Sequence, residues 1–422
     1  MKKIISISLS PNVFPEDIAA AKAMRQIPDA WRTGEAIQRL ERDFLKYFDI
    51  ASDHRIYTFN SGRSALFSIL RSFAIGKGDE VLLQAFTCNA VPNPVLWLDA
   101  KPVYVDVDED TFNMNVDDLE RKITLRAKAI IVQHTFGLAA DMDAILDIAK
   151  RHSLYVIEDC AHALGATYKG KRLGTFGDAA FFSFGRDKVI SCVCGGIAFI
   201  KSINPAIAQN LDTFYDAMSF PSRYWIRQQL RHPIAMDAIL RWYNVPFPAY
   251  GIGKFILRWF QASNVLSKAV HWKEKQGEKP SYFPRRLPNA LAFLAVKQFK
   301  RLDAFNAHRR KLAEFYHSSL IHNSSFVIPP LVDGHIYLRF PVRHKKVRHI
   351  IREARKQGML LGDWYDSAIA PHDTKLRTML YNVDSCPVAE KLTRETFNLP
   401  TNPNLSMEDT KRIMTFLKTI NK

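Results

Sequence analysis

The sequence predicts an α/β protein: a large domain built on a mostly parallel sheet flanked by helices, followed by a smaller α+β C-terminal domain. Three observations carry this expectation. From residue 56 to about residue 201, β-rich runs alternate with stretches of helical spacing. The runs AIIV (129–132) and LYVI (154–157) are continuously apolar, as strands buried on both faces are. Beyond about residue 284, strands and helices mix without that alternation.

The elements follow in order. RIYTF (55–59) is a strand ending at Asn60, Ser61 and Gly62, and RSALFSILRSFAI (63–75) is a helix. GKGD (76–79) turns the chain into the strand EVLLQAF (80–86), and NAVPNPVLWLDA (89–100) is a short helix with prolines near its start. KPVYVDV (101–107) is a strand, and NVDDLERKIT (115–124) is a helix capped by Asn115. KAIIVQH (128–134) and SLYVIED (153–159) are strands around the helix DMDAILDIAKRH (141–152). AAFFSF (179–184) and GGIAFIKS (195–202) complete the sheet. Residues 204–283 lose the alternation and read as a mostly helical insertion rich in aromatic and basic residues. One long amphipathic helix is expected over 287–320, with Pro288 in its first turn. IYLRFPVR (336–343) is a strand, VRHIIREARKQG (347–358) a helix, and SMEDTKRIMTFLKTI (406–420) a helix with Ser406 and Asp409 spaced as a capping box. The expected division is therefore 1–203, 204–283 and 284–422, with no internal repeat.

Composition narrows the class. The chain has 422 residues, enough to stabilise itself without disulfide or metal staples. Its five cysteines (Cys88, Cys160, Cys192, Cys194 and Cys386) are odd in number and scattered, which fits reduced thiols and a cytoplasmic setting. Cys192 and Cys194 lack the second ligand pair of a zinc site, so no metal is expected. The opening MKKIISISLSPNVFPED starts like a signal peptide, but serines and Pro11 break its apolar run. No apolar run reaches the length of a membrane span. The net charge of +17 points either to an anionic partner or to a generally basic surface. Nucleic acid is not expected, because neither zinc-finger spacing nor an RNA-binding aromatic signature is present.

In open parallel sheets, ligands bind beyond the carboxyl ends of the strands. Ser61 and Gly62, Phe86 to Cys88, His134, Asp159 and His162, and Ser183 to Lys188 all fall there. Lys188 follows a buried strand and precedes a Cys/Gly turn, FFSFGRDKVISCVCGG (181–196), a setting a solvated lysine does not need. An amine that attacks a carbonyl must be neutral, and burial achieves this. A Schiff base with pyridoxal 5′-phosphate (PLP) also needs a carboxylate for the pyridine nitrogen and amides at a helix start for the phosphate. Asp159 offers the first, though a strand-end Asp bonded to a nearby loop would look the same. NSGRSAL (60–66) offers the second: the amides of Gly62 and Arg63, with the hydroxyls of Ser61 or Ser64, although Ser-Gly also caps ordinary helices. Ser183 could reach the same phosphate, and His162 the ring's phenolic oxygen.

In this ordered set the chain resembles the DegT family of nucleotide-sugar aminotransferases, fold-type I PLP enzymes. The resemblance rests on WRTGEAIQRLERDF (31–44), NSGRSALFSIL (60–70), GKGDEVLLQAFTCNAV (76–91), KPVYVDVDEDTFNMN (101–115), VQHTFGLAADMDAI (132–145), VIEDCAHALGATYKGKRLGTFGDAAFFSFGRDK (156–188) and CGG (194–196). It runs from about residue 30 to the C-terminus, apart from the insertion. It implies that Lys188 is the lysine that carries the cofactor and shuttles the substrate proton. Asp159 would be the pyridine-nitrogen partner, His162 the neighbour of the phenolic oxygen, and Ser61, Gly62, Arg63 and Ser183 phosphate-binding residues. It further implies a homodimer, glutamate as amino donor, and a keto sugar on a nucleotide diphosphate as acceptor.

Several positions depart from the family. Cys88 stands where an aromatic usually stacks on the cofactor, leaving Phe86 or a second loop to supply that wall. Arg63 replaces the usual Thr, adding a cation near the phosphate. Pro284 replaces an Asn that usually crosses the dimer, while Arg286 is retained. GDWYDSAIAPHD (362–373) lies where the family builds part of its substrate cleft, so Trp364, Tyr365 and His372 join His134 and Arg286 as substrate-binding candidates. Lys188 separates the chain from relatives that carry His there and dehydrate their substrate. The insertion holds ten Arg/Lys between Arg223 and Lys279 against four acidic residues between Asp216 and Glu278, with Trp225, Trp242, Trp259 and Trp272 spread through it. A helical lid or an oligomer contact is the plainer reading; the alternative is an interfacial helix pair on an anionic membrane, with the protein peripheral to the inner membrane. The competing functions are another PLP reaction on this scaffold, such as dehydration or an amino-acid transformation, and a non-catalytic membrane- or anion-binding protein.

Overall fold

A computed structural model of the chain describes residues 4–8, 13–49, 54–201, 205–243, 245 and 251–420. Pro11 and residues 204, 244 and 246–250 of the expected insertion lie outside them.

Seven strands form the central sheet: β1 (His54–Phe59), β2 (Glu80–Gln84), β3 (Lys101–Val105), β4 (Ala127–Gln133), β5 (Tyr155–Asp159), β6 (Ala179–Ser183) and β7 (Gly196–Lys201). Their order across the sheet is β1-β7-β6-β5-β4-β2-β3. Only β7 runs against the rest, pairing antiparallel with both β1 and β6. The carboxyl ends of the other six therefore share one edge.

Both faces of the sheet are buried, and the strand pleat sorts the side chains. Val81, Leu83, Ile131, Ile157 and Phe181 enter one apolar cluster; Leu82, Ile130, Val132, Val156 and Phe182 enter the other. The first cluster runs on through the helix Gly62–Ser72 into the C-terminal elements, as far as Leu417. The second is closed by the helices Pro15–Arg25, Glu35–Phe48, Met142–His152 and Asn289–Phe299. This explains why the strands read as continuous apolar runs.

Caps expected from the sequence form. Asn115 Oδ1 accepts the Asp118 amide at 2.9 Å. Ser406 Oγ accepts the Asp409 amide at 3.0 Å while Asp409 Oδ2 accepts the Ser406 amide at 3.1 Å. The long helix over 287–320 is instead two helices, Asn289–Phe299 and Leu302–Leu320. Arg301 leaves helical geometry (φ −105°, ψ 4°), and its guanidinium pairs with Asp17 and, at 3.7 Å, Glu16. That anchorage on the N-terminal helix has no local sequence signal. Pro288 precedes the first of the two helices rather than sitting inside its first turn, and its carbonyl accepts the amides of Leu291 and Ala292.

The insertion is helical: Pro205–Asp216, Arg223–Arg241 and Ile252–Ala262, then a short turn of helix at Glu274–Gln276. Toward the C-terminus, Arg339–Arg343 and Thr396–Pro400 pair antiparallel beside the helices Val347–Lys356 and Met407–Ile420. No helix among the described residues is long and apolar enough to cross a membrane.

Candidate active site

The site lies at the shared carboxyl edge. Sheet register sets it out: Asp159, the last residue of β5, is level with Gln133 on β4 and Phe181 on β6. Asp159 is buried; its Oδ1 accepts the Ala161 amide at 3.0 Å, and Oδ2 makes no hydrogen bond among the described residues. Burial raises its pKa, opposed by the Ala161 amide and the charges of Lys188 and His134. Lys188 lies on the turn that leaves β6. Its amine is desolvated, and burial lowers its pKa despite the opposing pull of Asp187 and then Asp159. Each charge is costly to bury alone, and each is the other's neighbour.

Two arginines pin this turn. Arg339 Nη2 donates to Asp187 at 3.0 Å, and Arg309 Nη2 donates to the Val189 carbonyl at 2.7 Å. Both side chains are fully buried, and burial pulls their pKa values down to about 10 and about 9.

A cradle lies beside the lysine, where β1 turns into the helix Gly62–Ser72. Ser61 caps the helix, its Oγ accepting the Ser64 amide at 3.1 Å. A Cβ placed on Gly62 would stand 3.0 Å from Ser183 Cβ and 3.3 Å from its Oγ. A Cβ on Gly196 would stand 2.6 Å from the Gly62 nitrogen and the Ser61 carbonyl carbon. Glycine at both positions therefore lets helix amides, a helix N-terminus and the Ser183 hydroxyl crowd one spot, as a phosphate requires.

Aromatic rings wall the pocket. His162 stacks on Trp364 with centroids 5.3 Å apart and planes 15° apart, and lies parallel to Phe136 at 6.4 Å. Its Nδ1 accepts the Phe136 amide at 3.3 Å. Burial, then the cations Lys188 and Arg339, hold the imidazole well below its usual pKa. The ring is therefore neutral, with its hydrogen on Nε2. Lys188 Nζ lies 5.3 Å from the Trp364 ring centroid, and the Arg339 guanidinium lies 3.1 Å from it. Tyr365 lies parallel to Trp364 at 5.6 Å. Phe86 packs behind, edge-on to Tyr365 at 5.3 Å. Cys88 lies close enough for the Lys188 charge to oppose the burial that raises its thiol pKa. The second loop that supplies aromatic surface is thus 364–365.

Four expected residues face elsewhere. The Arg63 guanidinium pairs with buried Glu274 and stacks on Phe283 at 4.7 Å, so its charge is spent on the insertion rather than offered to the cradle. His134 is buried, with Nε2 3.3 Å from Glu158 Oε2 and Nδ1 accepting the Ala140 amide at 3.2 Å. It backs the site instead of lining it. Arg286 donates to the Tyr215 carbonyl at 3.0 Å and to Asp216 at 2.8 Å, tying down the helix Pro205–Asp216. His372 is exposed and bonds Asp366 at 2.9 Å.

Sequence reasoning missed Arg339, Asp187, Arg309, Glu158 and Glu274. An arginine within the apolar run of IYLRFPVR was a signal for Arg339, because a buried guanidinium needs a partner. Glu158 accepts the amides of Gly174 and Phe176 at 2.7 Å and of Gly177 at 2.8 Å. Burial would raise its pKa, but His134 and these amides outweigh it. The donor atoms of His134, Glu158 and Cys160 lie within 4.8 Å of one another, and the Glu158 oxygens are occupied by those amides.

The chain matches the model of the DegT/DnrJ/EryC1/StrS aminotransferase family over residues 15–227 and 261–418. It is 30% identical over 393 residues to GDP-perosamine synthase of Caulobacter vibrioides, covering 91% of this chain and 90% of that one. Its fold is similar to that of NtdA from Bacillus subtilis with bound PMP (TM-score 0.75, 20% identity, 100% of this chain and 85% of that one). It is equally similar to that of Helicobacter pylori PseC, an aminotransferase of pseudoaminic acid biosynthesis (TM-score 0.75, 21% identity, 100% of both chains). PLP fits the residues in place: a desolvated amine, a buried carboxylate with one oxygen that makes no hydrogen bond among the described residues, and a cradle opened by two glycines at a helix start. The cofactor is PLP, and the chain belongs to the DegT/DnrJ/EryC1/StrS aminotransferase family.

Proposed function

We propose that the protein transfers the amino group of glutamate to a keto sugar held on a nucleotide diphosphate, releasing 2-oxoglutarate and an amino sugar nucleotide. The observation that carries this is the convergence of Lys188, Asp159 and His162 beside the Gly62–Ser183–Gly196 cradle. The name GDP-perosamine synthase, borne by two curated relatives, supports a nucleotide-bound sugar. The three-part organisation, a homodimer and a cytoplasmic location belong to the same reading.

PLP, when bound, supplies an aldehyde that takes up the amino group and a ring that accepts an electron pair. The chain's own residues do the rest. Lys188 Nζ, desolvated by burial, would take the proton from the donor carbon that bears the nitrogen and pass it to the cofactor carbon that takes up that nitrogen, and in the second half-reaction would carry a proton the opposite way, onto the acceptor carbon. Asp159 would hold the ring nitrogen, whose proton would offset the desolvation that raises the carboxylate's pKa. Neutral His162 presents Nε2–H as a donor. Ser61, Ser183 and the amides of Gly62 and Arg63 would hold the phosphate. Trp364 and Tyr365 provide the aromatic face that Cys88 does not, and exclude water from the amine.

The test is an absorption spectrum of the purified protein with and without glutamate, followed by turnover of 3-keto and 4-keto nucleotide sugars. Lys188→Ala is expected to abolish turnover while leaving the circular dichroism unchanged. Full turnover by that variant, or no spectral response of the wild type to glutamate, contradicts the assignment.

A further inference from the structure

Residues 228–260 fall outside the family match, and most of them form a helical hairpin with an interior of its own. The helices Arg223–Arg241 and Ile252–Ala262 approach at Gly253, where a Cβ would stand 2.3 Å from the Ile239 carbonyl oxygen. Between them Met236, Ile239 and Leu266 pack with Ile256, Leu257 and Phe260, apart from the two main apolar clusters. The outside of the hairpin carries large aromatic side chains among basic ones. Trp242, Phe255 and Trp259 are 52%, 53% and 58% exposed. Phe255 and Trp259 are one helical turn apart and share a face. Exposed large aromatics, one at the end of the first helix and two on a face of the second, mark a contact surface.

The charge identifies the partner. Over residues 223–262 the chain carries six Arg/Lys and one acidic residue, Asp237. Within the protein Arg223 lies 3.2 Å from Asp29, Arg241 lies 2.7 Å from Asp237, and Lys254 Nζ lies 5.2 Å from the Tyr243 ring centroid. Arg231 sits near Arg227 and Arg25, and partial burial followed by their like charges lowers its pKa. A second copy of this face would bring the same cations together. An anionic lipid surface satisfies both halves of the composition: tryptophan and phenylalanine enter the headgroup boundary while arginine and lysine meet the phosphates.

We infer that the hairpin docks the protein on an anionic membrane surface through Trp242, Phe255 and Trp259, with Arg227, Lys254 and Arg258 at the level of the lipid phosphates. This is independent of the reaction, because none of these residues belongs to the Lys188 site.

The experiment is sedimentation of the full-length, PLP-loaded protein with vesicles, either of phosphatidylcholine alone or of equal parts phosphatidylcholine and phosphatidylglycerol, at low salt. Binding is expected to the mixed vesicles and to fall with added salt. Lys254→Gln with Arg258→Gln should weaken it about 25-fold, about fivefold per cation removed. Phe255→Ser with Trp259→Ser should abolish it with aminotransferase activity and sedimentation coefficient unchanged. No binding to mixed vesicles, equal binding to both compositions, or a change of oligomeric state in the aromatic variant overturns the inference; the last would make the face a contact between copies.

Discussion

Gly196→Ala is the sharpest probe of the phosphate cradle. Gly196 has no positive φ, so alanine is allowed by the backbone and only space opposes it. The added methyl would stand 2.6 Å from the Gly62 nitrogen and the Ser61 carbonyl carbon, and 2.7 Å from the Ser61 oxygen. Reaching ordinary contact requires a shift of about 0.8 Å, and since the obstructing atoms are all backbone, the β1–helix turn itself must move, at a cost of roughly 1–3 kcal/mol. If that cost falls on the cofactor-bound geometry, PLP affinity drops about 5- to 150-fold. Gly185→Ala is the control: its methyl would meet Lys188 Cγ at 3.5 Å and Ser183 Oγ at 3.7 Å, ordinary distances. The assay is a spectral titration of the cofactor-free variants with PLP, alongside a thermal melt. Wild-type affinity in Gly196→Ala, or an equal loss in Gly185→Ala, would refute the reasoning that the two backbone segments touch.

The remaining predictions concern charge and anchorage. The rate of PLP uptake by cofactor-free protein should rise with pH through a midpoint below that of an ordinary lysine, about 10.4, because burial lowers the Lys188 pKa. Asp159→Asn, which removes a charge that favours the ammonium, should move the midpoint lower still. His162 should show the Nε2–H tautomer in nitrogen NMR and fail to titrate near pH 6.5, where free imidazole does. Glu158→Gln puts a donor amide among three backbone donors; a loss of about 3 kcal/mol, equivalent to one or two charge-assisted hydrogen bonds, should appear in the melt. Faster hydrogen exchange should be confined at first to the amides of Gly174, Phe176 and Gly177.

The strands of the central sheet were legible because burial on both faces leaves an unbroken apolar run that nothing else in the chain mimics. The placement of Asp159 and Ser183 at strand ends, and of Lys188 on the turn beyond β6, followed from parallel topology alone. Side-chain direction did not. Arg63 and Arg286 read as ligands for anions, yet Glu274 and Asp216, both inside the expected insertion, claim them. A distant acid that neutralises a cation leaves no mark beside it in the sequence. The break at Arg301 escaped for the same reason, since its cause is Asp17 on the N-terminal helix. Trp364 was named from its place in the chain, but its stacking on His162 depends on a long-range approach that spacing does not encode.

The most direct measurement is chemical. Borohydride reduction of the purified, PLP-loaded protein, followed by peptide mapping, should place a single pyridoxyl group on Lys188, and prior incubation with glutamate should prevent the labelling. A pyridoxyl group on any other lysine, or none on the peptide that contains Lys188, would contradict the claim that this desolvated amine holds the cofactor.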